Sequence, residues 1–150
     1  MQEEIVRALS ARRRDIRARW EALLRIERMN TPLANPEALV FMLDGTLDEL
    51  FLALQRAHAR RRPLSAPAVC PCGRNPLLAY FAAGKQALVE ALVLVQAEHA
   101  GLDPAGRDAA MAELKFCLHK ITRREIEAFC AVCQFRHDAH PAVLTGSGST

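Results

Sequence analysis

Three times in this chain an Asx residue is followed directly by proline: Asn35-Pro36, Asn75-Pro76 and Asp103-Pro104. The side-chain oxygen of Asn or Asp accepts one of the backbone N–H groups that the first helical turn leaves unpaired. Proline at the next position has no N–H to leave unpaired and already holds a helical φ. Each pair therefore marks a helix start, and the segment before residue 35 supplies a further helical region. The composition agrees: Ala and Leu account for 26 and 20 of 150 residues, and aromatic residues for only 5%. This is the alphabet of helix formers, poor in the β-branched and aromatic residues that fill strands. The expected fold is all-α, a single bundle of four to five helices over 1–141 with a flexible tail at 142–150. A chain of this length buries about 70% of its unfolded surface, so its core needs no cross-links.

Apolar spacing places the helices. Residues 3–29 carry Ile5, Leu9, Ile16, Trp20, Leu23 and Leu24 at near-helical steps, thinning at Arg12 and Arg13. As one helix this segment would be about 40 Å long, so it either breaks near 11–14 or projects onto a partner. From Pro36 to about Arg60, Leu39, Leu43, Leu47, Leu50 and Leu54 share a face, and Gly45 suggests a kink or a close helix contact. Between Pro76 and His99, Leu77, Phe81, Gly84, Leu88, Leu92 and Val95 are in register while Val89, Ala91 and Leu94 cover other faces. A helix apolar on most sides belongs at the centre. His99 is placed to hydrogen-bond the last carbonyls of that helix, and Gly101 to end it. From about Ala105 to His137, Met111, Leu114, Leu118 and Ile121 form a stripe that continues through Ile126, Phe129, Val132 and Cys133; Thr122-Arg123-Arg124-Glu125 matches a capping box, where a new helix could start.

The chemistry lies in the cysteines. Cys70-Pro71-Cys72-Gly73 falls in the proline-rich loop between the second and third helices, and Cys130 and Cys133 fall near the end of the last helix. Residues at i and i+3 are neighbours on a helix face. Pro71 and Gly73 permit the tight bend that turns Cys70 and Cys72 to one side. Four thiolates about 2.3 Å from a common ion make a structural zinc site. The two pairs are roughly 60 residues apart, so only the tertiary fold can unite them. The expected ligands are Cys70, Cys72, Cys130 and Cys133, with His137 as the alternate because it shares a helical face with Cys130 and Cys133. Zinc is the expected metal; an iron–sulfur cluster has the same ligand type and ranks below it, as does haem. Cys117 and His119, about three turns N-terminal to Cys130 and Cys133, are poorer candidates if the helix is straight. The same thiols read differently as a redox sensor, with Cys70/Cys72 and Cys130/Cys133 forming and breaking disulfides; Arg74 and the following helix start would favour a thiolate there.

Other signals are weaker. A net charge of +3 is mild, but basic clusters at Arg12-Arg13-Arg14-Asp15-Ile16-Arg17-Ala18-Arg19 and Arg60-Arg61-Arg62 raise nucleic-acid binding as a third reading. Leu43-Asp44-Gly45-Thr46-Leu47 resembles part of the DxDGT motif of haloacid-dehalogenase phosphatases, yet Met42 stands where that family has its nucleophilic Asp, which removes the mechanism. No Ser/His/Asp set, phosphate loop or HExxH motif occurs. The N-terminus lacks the basic-then-apolar pattern of a secretory signal. The most apolar run, 87–97, is interrupted by Glu90 and Gln96 and falls short of the roughly 20 residues that span a bilayer. The expectation is a cytoplasmic, non-enzymatic regulatory or adaptor domain with no membrane segment. Its Cys-rich zinc site would link the loop at 70–73 to the last helix, and a protein partner or a second copy would meet the N-terminal segment.

Overall fold

A computed structural model describes residues 1–26, 36–56, 70–71, 73–99 and 101–133. Among these residues the chain is all-α, a helical bundle built from α1 (Glu3–Ala11), α2 (Arg13–Ile26), α3 (Pro36–Val40), α4 (Leu43–Arg56), α5 (Leu77–Glu98) and α6 (Pro104–Val132). The predicted helical regions are all present, but the first two are each divided.

The N-terminal region breaks at Arg12, whose φ of −88° and ψ of 12° leave the helical well while its N–H bonds back to Leu9 O. Both halves then bury their apolar stripe: Ile5, Val6 and Leu9 on α1, and Ile16, Trp20 and Leu24 on α2. That stripe is spent inside the bundle rather than projecting. The second region breaks at Phe41 and Met42, between α3 and α4, and not at Gly45. Gly45 sits in the first turn of α4 with nothing within 4 Å of where a Cβ would lie, so the expected close contact there is absent. The five leucines of this region all face the core as their spacing predicts.

The capping-box sequence at Thr122 does not break the helix. α6 runs unbroken through its 29 residues, about 44 Å. Asp103 caps it by accepting from Gly106 N–H at 2.7 Å, with Pro104 next in line as predicted. Ile126 is buried and Phe129 partly so, but Val132 is 80% exposed, so the apolar stripe stops before the helix does.

α5 is the central helix, contacting α1, α2 and α6. It is 22 residues long and holds an 18-residue stretch with a mean hydropathy of 1.5, which by length and composition alone is enough to cross a membrane, and half of that stretch is buried. This exceeds the sequence expectation, which took 87–97, interrupted by Glu90 and Gln96, as the most apolar run. His99 closes the helix with its ring Nδ1 2.7 Å from Val95 O.

The middle of the bundle is built around Trp20. Its indole N–H donates to Tyr80 O at 2.9 Å and its ring lies 4.8 Å, centroid to centroid, from the Tyr80 ring. The Tyr80 hydroxyl donates to Thr46 Oγ1 of α4 at 2.9 Å. Gly84, one turn beyond Tyr80, makes this possible: a Cβ there would lie 2.2 Å from Trp20 Cζ2. One tryptophan thus joins α2 to α5, and one tyrosine joins α5 to α4.

Candidate functional site

The polypeptide reaches the thiol site through a tight turn. Gly73 N–H donates to Cys70 O at 3.0 Å across a four-residue turn with Pro71 at its second position, and Gly73 adopts a φ of +65° that favours glycine. Asn75 follows and opens α5. Its Oδ1 accepts from Leu77 N–H at 2.9 Å, which is the capping bond the Asn75-Pro76 pair predicts, although the helix proper begins at Leu77.

The far side of the site comes from the end of α6. Cys130 lies in its last turn and Cys133 caps it, with Cys133 N–H bonded back to Cys130 O at 3.4 Å. Cys70 lies beside Cys130, and the sulfurs of Cys70 and Cys133 both act on it electrostatically. Burial pushes the Cys130 thiol up from its ordinary value, and the two neighbouring sulfurs push it further in the same direction. Asn75 opposes them: its Nδ2 lies 3.6 Å from Cys130 Sγ and 3.5 Å from Ile126 O. Asn75 is only 3% exposed and Cys70 8%, so these contacts are largely shielded from water.

The start of α5 and the end of α6 therefore meet, and three of the four expected sulfur ligands are neighbours. Cys72 and the alternate ligand His137 lie outside the described residues. Among the described residues, no group of three or more His, Cys, Asp or Glu side chains is arranged to hold a metal ion as it stands. Cys70, Cys117, Cys130 and Cys133 form no disulfide. Cys117 is buried elsewhere, about 20 Å along α6 from Cys130, with burial and Glu113 raising its pKa.

Sequence reasoning missed the reach of Asn75. It assigned the residue to the helix start alone, yet Asn differs from Asp and Ser at a cap in having an N–H₂ left over once its oxygen has accepted. An Asn cap five residues after a cysteine was the available signal.

The arginine-rich first region takes a different form from a phosphate-binding strip. Arg12 pairs with Glu98, Arg13 with Asp44 and Asp48, Arg17 with Asp44 and Glu21, and Arg19 with both oxygens of Glu90 at 2.7 and 3.1 Å. Arg19 holds the Glu90 carboxyl down at about 2. Apart from Arg17–Glu21 within α2, these pairs lace Arg12 and α2 to α4 and α5, each contributing little by itself. No family model, curated protein or solved structure matches the chain, so its own residues carry the reading of the site.

Proposed function

We propose that this chain is a regulatory or adaptor domain whose helical bundle carries a zinc tie, with Cys70, Cys72, Cys130 and Cys133 as ligands and His137 as the alternate. The observation that carries the reading is the contact of Cys70, just ahead of α5, with Cys130 in the last turn of α6. Neighbouring sulfurs repel one another as thiolates. A soft divalent cation removes that repulsion and binds them in the deprotonated form, so affinity rises with pH and binding releases protons. Zinc suits four sulfurs in a tetrahedron without redox chemistry. An iron–sulfur cluster takes the same ligands and would colour the protein. A partner at the N-terminal segment, whether another protein or a second copy, would meet its outward arginine-rich face, because the apolar stripe is inside. The pairing of those arginines with carboxylates leaves fewer cations for nucleic acid and favours the thiol reading.

Elemental analysis tests the proposal. Protein purified under reducing, chelator-free conditions should carry close to one zinc per chain, with its site thiols unreactive until denaturation. Metal-free protein under those conditions overturns the reading.

The Cys70–Cys130 contact also favours a second reading, a thiol switch. Two thiols and one peroxide would give one disulfide and two waters, joining the loop to α6 rather than linking cysteines within each pair. Mild peroxide should then remove two titratable thiols reversibly; an unchanged thiol count would rule it out.

A further inference from the structure

The Asn75 side chain makes three contacts at once. Its oxygen caps α5 through Leu77 N–H, and its amide nitrogen faces both Ile126 O and Cys130 Sγ of α6. It belongs to neither sulfur pair, yet it is the buried polar group that lies between the start of α5 and the end of α6. Its bond to sulfur is long for oxygen chemistry but within reach for the larger sulfur atom. An N–H aimed at a cysteine sulfur fixes where that sulfur lies. Groups in this position around metal sites orient the ligand and tune its basicity.

We infer that Asn75 is the positioning residue of the thiol site, holding Cys130 Sγ against the start of α5 so that what happens at the sulfurs is coupled to the central helix. This inference rests on the zinc reading above, and the experiment is built to separate the two.

Asn75→Ser and Asn75→Asp both keep an oxygen that can cap Leu77 N–H, and Ser, Asp and Asn serve comparably at that position. Neither keeps the amide donor. Zinc affinity, measured by competition with a chromophoric chelator, should fall about 10- to 100-fold in both variants. Circular dichroism should show the helical content of the parent chain. Equal affinities in the parent and in either folded variant overturn the inference.

A second measurement needs no metal. In the reduced, metal-free parent chain, the Asn75 side-chain amide protons should exchange with solvent more slowly than those of an exposed amide. Exchange at the solvent rate means the contacts with α6 are not made, and the inference fails whatever zinc does. If the parent chain takes up no zinc, the proposed function falls alone, and the amide protons still decide the role of Asn75.

Discussion

The middle of the bundle and its thiol end solve opposite problems. Around Trp20 each polar atom named has a partner: the indole N–H has Tyr80 O, and the Tyr80 hydroxyl has Thr46 Oγ1. The fit is one of shape, with an indole ring lying where a side chain on Gly84 would otherwise be. At the other end, Cys70 and Cys133 lie beside Cys130 and raise rather than relieve its cost of ionising. The shape-matched centre has nothing left to bind. The thiol end gathers groups whose mutual repulsion a cation would remove. The contrast separates stability from chemistry at the start of α5: Tyr80 and Gly84 within the helix hold the fold, and the residues just ahead of it belong to the candidate site.

The sharpest test of that separation is at the centre. Gly84→Ala would gain up to about 1 kcal/mol of helix propensity. It would also force a methyl group to within 2.2 Å of a fully buried indole. Overpacking of this kind costs about 1–3 kcal/mol, so denaturant unfolding should show net destabilisation despite the better helix former. Trp20→Ala, which empties the same space, should cost about 3–5 kcal/mol by itself. The double variant should be less destabilised than the two costs combined, because the added methyl enters the vacated space. Strict additivity would mean that Gly84 and Trp20 do not meet as described.

This pair also marks the limit of what the sequence discloses. Leu39, Leu43, Leu47, Leu50 and Leu54 were legible as a buried face because helical spacing is a local property. Asp103 and Asn75 were legible because a cap is local chemistry. Gly84 and Trp20 are about 64 residues apart, and nothing near either one signals the other. Helix length left a break near 11–14 as one of two outcomes, and the break at Arg12 is the one found; yet α6 is longer and continuous, so length alone does not explain it. α6 continues because Leu118, Ile121 and Ile126 keep contact with the core on both sides of Thr122. At the thiol end, the spacing of the cysteines pointed to the meeting of loop and helix, while the role of Asn75 depended on the position of a neighbour far along the chain.

Tyr80 offers an intermediate effect at the centre. Burial pushes its phenol up to about 12, above the ordinary value of 10.0. Below pH 10 both folded and unfolded chains keep the proton, and the stabilisation is fully present. As pH rises from 10 to about 12 the unfolded chain loses its proton first, so stability should fall across that window. Tyr80→Phe removes this alkaline loss and at neutral pH costs about 1 kcal/mol, because Thr46 Oγ1 loses its partner in the core. Since Tyr80 is the chain's one tyrosine, the difference between parent and variant across pH 10–12 isolates it from the titrating lysines. A parallel pH dependence in the two would place the phenol in water.

The smallest effect on global stability should come from the thiol end. Cys130 is only partly buried, and its metal-free thiol packs as a small hydrophobe. In metal-free protein, Cys130→Ser should therefore cost less than about 1 kcal/mol by denaturant unfolding. Chelator treatment should leave helical content unchanged while amide exchange quickens in the last turn of α6 and the first turn of α5. The reason is the separation itself: twelve of the largest side chains are essentially inaccessible to water, and none of them is a cysteine. A bundle of this size with such a core stands without a staple. A metal at its end would then set the position of α5 relative to α6 rather than decide whether the chain folds. Wholesale unfolding on chelation would erase the distinction and make the sulfurs part of the folding core.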